Sequence, residues 1–325
     1  MARGASWRAI ILPVKSRRIR NPTESANPRS SGLDLKSARE ILSILNREDA
    51  VVAPAVARQI PQIARAVDAI VASLRRGGRL LYVGAGTSGR LGMLDASECP
   101  PTFGVAAGTV DAVIAGGLGA LIRAVEGAED SGEGGARDLA VKKCSAKDVV
   151  VGLAASGTTP YVLGALRHAH ERGATTVGVT CNPGSPLARL ARIAIVIEVG
   201  PEAIAGSTRM KAGTSQKLVL NMLSTAAMVR LGYVYDHWMI NVAQTNIKLR
   251  QRAQSILEQA ADASPASARR ALESARGDLR IALIILKKGV SCAEARQRLL
   301  DSGGDLRAAL GQRRSASARK RKTDG

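Results

Sequence analysis

Two stretches of this 325-residue chain place hydroxyls and glycines where an apolar run stops. The first is Gly84-Ala-Gly-Thr-Ser-Gly89, directly after the strand-length run 80–83. The second is Ser156-Gly157-Thr158-Thr159, after the near-continuous apolar run 148–154. A glycine turn between a strand and a helix points backbone N–H groups at an anion. The hydroxyls of Thr87, Ser88, Ser156, Thr158 and Thr159 add donors at the same two places, with Gly157 giving the second turn its room. Ser207 and Lys211, in the glycine-rich stretch 200–213, are further candidates to hold a phosphate. Two carboxylates suit acid–base work beside such a cradle. Glu98 is expected just past a helix over 90–96, at the mouth of the first crevice. Glu129 is expected just beyond a second helical stretch, with Glu126 and Asp130 as competitors. The combination points to an enzyme acting on a small phosphorylated molecule.

Plainer readings compete at each place. Gly84-x-Gly86-x-x-Gly89 also satisfies the dinucleotide fingerprint, which requires an acidic residue at the end of the next strand. That strand, about 112–115, ends in Gly116-Gly117, and Asp111 lies at its start. The hydroxyls favour a phosphate monoester, so no nicotinamide or flavin cofactor is expected. A tight turn without a ligand remains open for the first stretch. For the second, Ser156 and Gly157 can equally be turn residues and a helix cap. Two such turns on neighbouring strands weigh against coincidence. His168 and His170 share a polar helix face with Arg167 and Arg172, and His237 beside Trp238 could belong to core or site. None of these histidines has metal-ligand spacing, so no metal is expected. No G-x-S-x-G elbow occurs, so a serine triad has no support.

The elements that must position these groups alternate. Helical spacing covers 35–45 and 50–74, the latter with a stripe through Val56, Ile63, Val67, Ile70 and Val71. Arg75-Arg-Gly-Gly78 ends it. Then come a strand at 80–83, a helix that Pro100 and Pro101 end, a strand at 112–115, a helix at 118–128 and a strand at 148–154. A helix at 161–172 and strands at 175–179 and 191–197 follow. This predicts an α/β fold, a doubly wound parallel sheet flanked by helices. A long helix at 214–231 suits burial against the sheet or another subunit, and a further helix spans 242–259. Three short helical patterns beyond 260 form a small C-terminal helical module. The expected organisation is a basic extension at 1–20, the sheet domain at 21–260, the module at 261–312 and a basic tail at 313–325.

Composition narrows the classes. The net charge is +20, but residues 1–20 contribute +6 and residues 313–325 contribute +5. More than half of the excess therefore sits in two tails of disordered composition, and no zinc-finger spacing or aromatic run suggests specific nucleic-acid recognition. No run of 18 apolar residues occurs, so no membrane span is expected. The four cysteines are scattered without a C-x-x-C pair, as suits reduced thiols in the cytoplasm.

Longer motifs surround these residues. Gly84-Ala-Gly-Thr-Ser-Gly-Arg-Leu-Gly-x-Leu-Asp-Ala-Ser-Glu-Cys-Pro-Pro-Thr-Phe103 resembles the signature of the N-acetylmuramic acid 6-phosphate etherases, enzymes with a sugar isomerase (SIS) domain. Residues 124–131, 154–161 and 206–222 resemble three further motifs of that family, and the likeness covers about 23–310. The resemblance implies an SIS-like fold and cleavage of the D-lactyl ether of N-acetylmuramate 6-phosphate, giving N-acetylglucosamine 6-phosphate and D-lactate. It places the acid on Glu98, the second catalytic carboxylate on Glu129, and Ser88 and Ser156 with the phosphate. It implies a homodimer without a metal. In the open-chain sugar the C1 aldehyde acidifies the C2 proton, so elimination of lactate and addition of water fit two carboxyls. A sugar-phosphate-binding regulatory protein of the same domain type, resembling glucokinase regulatory protein, would need the serines but not both glutamates. An aldose–ketose isomerase stands third.

Overall fold

The computed structural model describes residues 22–241 and 247–312. Residues 1–21, 242–246 and 313–325 lie outside it, and with them both basic tails and the first positions of the helix expected from 242. Short 3-10 turns lead into α1 (Ala38–Asp49), which opens on a capping box between Ser37 and Glu40. α2 (Val52–Ala57) and α3 (Ile60–Arg75) follow, and the stripe of α3 is buried as its spacing predicts. The alternation then runs β1 (Leu80–Gly84), α4 (Gly86–Phe103), β2 (Val110–Ile114), α5 (Gly132–Val141), β3 (Val149–Leu153) and α6 (Pro160–Glu171). It continues through β4 (Thr175–Thr180), α7 (Pro186–Leu190), β5 (Ile193–Val196) and the long α8 (Lys211–Leu231).

The five strands are parallel, in the order β2-β1-β3-β4-β5. All positions of β1 and β3 are buried, which explains their near-continuous hydrophobicity. Alternate residues serve two cores. Leu80 and Tyr82 of β1 join α2, α3, α4 and α8 on one face. Leu81 and Val83 join α5, α6 and α7 on the other. The order reverses between β1 and β3: the chain leaves β1 toward β2 on one side and returns to β3 on the other. In open α/β sheets the crevice beyond the strand C-termini at that reversal is where ligands bind.

Three sequence expectations change. Pro100 and Pro101 do not end α4, which runs to Phe103 and so carries Glu98 inside it. The prolines remove two N–H donors in the last turn only. That turn is closed by Gly104, at φ 62, whose N–H bonds Pro100 O at 2.8 Å, and by Asn241 Nδ2, which donates to Phe103 O at 2.7 Å. The stretch 118–128 is not a helix: it holds a 3-10 turn at Leu118–Leu121 and then runs exposed. The helix lies later, at α5, where glycines hide the hydrophobic spacing. Those glycines let two backbones touch. A Cβ at Gly135 would fall 1.9 Å from Tyr161 O of α6, and one at Gly164 the same distance from Gly132 O.

After α8 come a short hairpin, β6 (Val234–Tyr235) and β7 (Trp238–Met239), and then α9 (Ile247–Ala261). α10 (Pro265–Ser274), α11 (Leu279–Lys288), α12 (Cys292–Asp301) and α13 (Leu306–Ala309) complete the described chain. Tyr235, Ile240 and Leu257 share one core with α10 to α13. The packed module thus takes in the hairpin and α9, ahead of the expected boundary at 261. Among the described residues, no helix is long and apolar enough to cross a membrane.

Candidate functional site

Both hydroxyl-rich turns stand at the reversal point, one after β1 and one after β3. The first opens α4. Gly84 must be glycine, because a Cβ there would lie 2.6 Å from Gly89 N as the helix folds back over the strand end. The residue before the helix, Ala85, offers no side-chain cap. α6 likewise starts without one, after Thr159. Most other helices fill this place with their own side chains: Ser37, Ser131, Ser185, Ser264, Asp278 and Ser291 each accept a backbone N–H. α2 and α3, also uncapped, run on almost directly from the helix before them. Free N–H groups at the starts of α4 and α6, lined by half-buried Thr87, Ser88, Ser156 and Thr159, are suited to an anion.

The second turn is held by its neighbours on β4 and α7. Thr180 Oγ1 donates to Ala155 O at 3.1 Å, and Asn182 Nδ2 donates to Ser156 O at 3.2 Å. Gly157, at φ 69, has Ser185 Oγ only 2.2 Å from where its Cβ would be. Within the turn, Thr158 donates to Ser156 Oγ twice, from its backbone N–H at 3.2 Å and from its hydroxyl at 3.0 Å. Both lone pairs of Ser156 are thereby used and its own hydrogen is left to give. Ser156 and Gly157 are turn residues, as the plainer reading has them, but neither caps α6, and the geometry also suits a phosphate.

The turn at 206–210 brings a third group in. A Cβ at Gly213 would lie 3.4 Å from both Thr208 O and Thr87 Cγ2, so the start of α8 packs against the start of α4. Ser207 is half-buried in this turn. Lys211 is placed differently from its expected role with the phosphate. Its side chain is 1% exposed and its Nζ lies 2.5 Å from Glu48 Oε2, in an ion pair that also takes Arg29 and Asn27 Nδ2. The bonds from Arg29, with those from Lys211 and Asn27, hold the Glu48 carboxyl down at about 2 against the pull of burial. The ammonium is thus committed inside the protein. The start of α8 is also occupied: fully buried Glu202 accepts from Lys211 N at 3.0 Å and Ala212 N at 2.9 Å. Burial raises the Glu202 carboxyl, while these two bonds lower it.

The two glutamates lie at different ends of the sheet. Glu129 is exposed in a 3-10 turn, Ala128–Asp130, beside the start of α6, so it shares the strand-end edge with Ser156. Glu98 is exposed ten residues after Ser88 in one continuous helix, which offsets it by about 15 Å along the axis. It is therefore not at the mouth of its own chain's crevice. Neither glutamate makes a hydrogen bond or ion pair among the described residues, and the same holds for exposed Glu126.

Sequence reading missed two buried polar residues that brace α4. Asp95 accepts from Tyr82 Oη at 2.8 Å, Asn221 Nδ2 at 2.8 Å and Ser224 Oγ at 3.2 Å, tying α4 to β1 and α8. Gln216, 1% exposed on α8, accepts from Ser88 Oγ at 2.8 Å. Their signal was a polar residue on a helix face that otherwise buries. Burial pushes the Cys99 thiol up to about 12 and those of Cys144 and Cys181 to about 11, which makes them poor nucleophiles. His237 is exposed, paired with Asp236 and stacked on Trp238. Among the described residues no group of three or more His, Cys, Asp or Glu could hold a metal.

Two family models match: the glucokinase regulatory protein N-terminal SIS domain over residues 62–170 and the SIS domain over 126–226. A solved structure of a phosphoheptose isomerase from Francisella tularensis is 19% identical, with a TM-score of 0.46, over 59% of this chain and 98% of that one. Two curated relatives are much nearer. An N-acetylmuramic acid 6-phosphate etherase from Serratia proteamaculans (strain 568) is 53% identical over 89% of this chain and 97% of its own length. One of the same name from Yersinia pestis (strain Pestoides F) is 54% identical over 89% and 98%. With that identity along nearly its whole folded length, the chain belongs to the N-acetylmuramic acid 6-phosphate etherase family, enzymes built on an SIS domain.

Proposed function

We propose that this enzyme cleaves the D-lactyl ether of N-acetylmuramate 6-phosphate by elimination and hydration, releasing D-lactate and N-acetylglucosamine 6-phosphate. The observation that carries this reading is a pair of uncapped, hydroxyl-lined helix starts at the sheet's reversal point, in a chain that aligns over 89% of its length with etherases. The phosphate sits between Ser88 and Ser156, with Thr87, Gly157, Thr158, Thr159 and the Ser207 turn around it. The open-chain sugar loses its C2 proton to a carboxylate, and the C3–O bond breaks with lactate taking a proton from Glu98. Water then adds its oxygen at C3, and a proton returns to C2. Glu129, on the same edge as Ser156, is the second carboxylate of this cycle. The unpaired cysteines fit an enzyme of the reducing cytoplasm.

Assembly follows from the reach of the groups. A phosphate at the start of α4 lies more than two helical turns from Glu98 of the same chain. A homodimer resolves this when Glu98 of one copy faces the sugar cradled by the other. Incubation with N-acetylmuramate 6-phosphate in heavy water should release D-lactate and leave deuterium at C2, and oxygen-18 water should label C3. Lactate without C2 exchange would establish direct displacement instead. Tight binding without any lactate would establish the regulatory reading, which the match to the glucokinase regulatory protein domain keeps in view.

A further inference from the structure

We infer that Gln216 is a positioning residue: it sets which way the Ser88 hydroxyl gives its hydrogen, and so whether the first turn can hold a phosphate. This rests on the reading that Ser88 binds phosphate. Gln216 lies on α8, packed against α4, and is 1% exposed. Its Oε1 accepts from Ser88 Oγ at 2.8 Å. Its Nε2 is the single buried side-chain nitrogen or oxygen among the described residues with no hydrogen-bond partner. Native proteins leave few buried polar groups in that condition, and those they leave need a reason.

Hydrogen accounting supplies one. A serine hydroxyl has one hydrogen to give and two lone pairs to receive. A phosphate dianion only receives. While the Ser88 hydrogen lies on Gln216 Oε1, none is left for the ligand. Turning the Gln216 amide over exchanges its oxygen and nitrogen in nearly the same volume, because that last torsion is soft and two-fold. Nε2 then donates to Ser88 Oγ and the Ser88 hydrogen is released to the phosphate, while Oε1 moves to the partnerless place, so the turn is made only when the bond to the phosphate favours it. Thr158 already does the equivalent for Ser156, donating to its oxygen from both its N–H and its hydroxyl. The two serines therefore differ before the ligand arrives: one is set to give, the other is set by Gln216.

The test reads KM for N-acetylmuramate 6-phosphate and competitive inhibition by inorganic phosphate. Gln216→Met keeps the length and removes both polar atoms, while Gln216→Glu, read at a pH where its carboxyl is ionised, offers acceptors only and holds the Ser88 hydrogen away from the ligand. Both constants should rise about tenfold for Gln216→Met and more for Gln216→Glu, with kcat within a few-fold, as expected for one hydrogen bond to a charged group. In a Ser88→Ala background, Gln216→Met should add less than about twofold, because coupled residues are not additive. Wild-type affinity in Gln216→Met, with Ser88→Ala weakened, overturns the role of Gln216 and leaves the cradle standing. An undiminished effect in the Ser88→Ala background overturns it too, by making Gln216 a packing residue. Wild-type affinity in Ser88→Ala removes the phosphate reading beneath it. Should Gln216→Met not fold, the near-isosteric Gln216→Glu and its double variant with Ser88→Ala carry the same comparison.

Discussion

The two turns at the reversal point look alike in sequence and are built differently. The turn after β3 is fixed from nearby: Thr158, Thr180, Asn182 and Ser185 all lie within 29 residues of Ser156. The turn after β1 is fixed from far along the chain, by Gln216 and Gly213 at the start of α8. Their glutamates differ in the same sense. Glu129 stands beside the second turn, whereas Glu98 rides the far end of the helix that the first turn opens. Of the two hydroxyl-lined helix starts, one is therefore completed locally and the other depends on the whole domain.

The largest effects should come from the glutamates. Glu98→Gln and Glu129→Gln keep size and remove proton transfer, and turnover should fall by roughly 10²–10⁴ with binding little changed. Glu126→Gln should lose far less; a dead Glu126→Gln beside an active Glu129→Gln would move the second carboxylate to Glu126. Mixing the two dead variants should restore about a quarter of wild-type activity if Glu98 works across a two-fold interface, since half the dimers are mixed and each has one intact site. No recovery in freshly refolded mixtures would return Glu98 to its own chain.

Lys211→Met separates structure from ligand binding at the first turn. Breaking a buried pair costs about 3 kcal/mol or more, and Arg29 keeps the loss toward that lower figure. Chemical denaturation should show it, while KM in the folded fraction stays near wild type. The same pair sets an acid limit. The Glu48 carboxyl titrates at about 2 when folded, below its ordinary value, so its contribution is present above the unfolded value and is lost as pH falls toward 2. A variant lacking Lys211 should show a shallower acid transition.

Ser88→Ala and Ser156→Ala should each weaken phosphate binding by about tenfold to a hundredfold, the worth of a hydrogen bond to a charged group. The unphosphorylated sugar should notice neither. A loss confined to Ser156→Ala would make the locally built half the whole cradle. At the sites themselves the smallest effect is indirect: Gly135→Ala or Gly164→Ala forces α5 and α6 apart and should cost at least about 1–3 kcal/mol of stability, read as a lower melting temperature. Turnover should fall with it through Glu129, while Ser88 is left as it was.

The parts of the fold written in local patterns were legible. The buried strands β1 and β3, the stripe of α3 and the hydroxyl turns all follow from short-range spacing. What was missed depends on contact between distant segments. α5 drew no reading because its glycines serve the face of α6. Lys211 reads as a phosphate ligand because nothing near it in sequence announces Glu48, 163 residues before it. Pro100 and Pro101 read as a stop because Asn241, which closes the turn at Phe103, lies 138 residues beyond that residue. Gln216 shows only as a polar residue on a burying helix face, and nothing near it in sequence names its partner on α4, 128 residues before it.

The bond from Ser88 to Gln216 spans 128 residues, and this sets an order of events during synthesis. A ribosome adds about 5–20 residues each second, so roughly 6–25 s separate the appearance of Ser88 from that of Gln216. Ser156 appears later than Ser88, yet the partners of its turn follow it within a few seconds at the same rate. The half of the site that is made first is thus the half that is finished last. A nascent chain halted before α8 would carry the Ser156 turn with its own partners but no Gln216 to set the Ser88 hydroxyl.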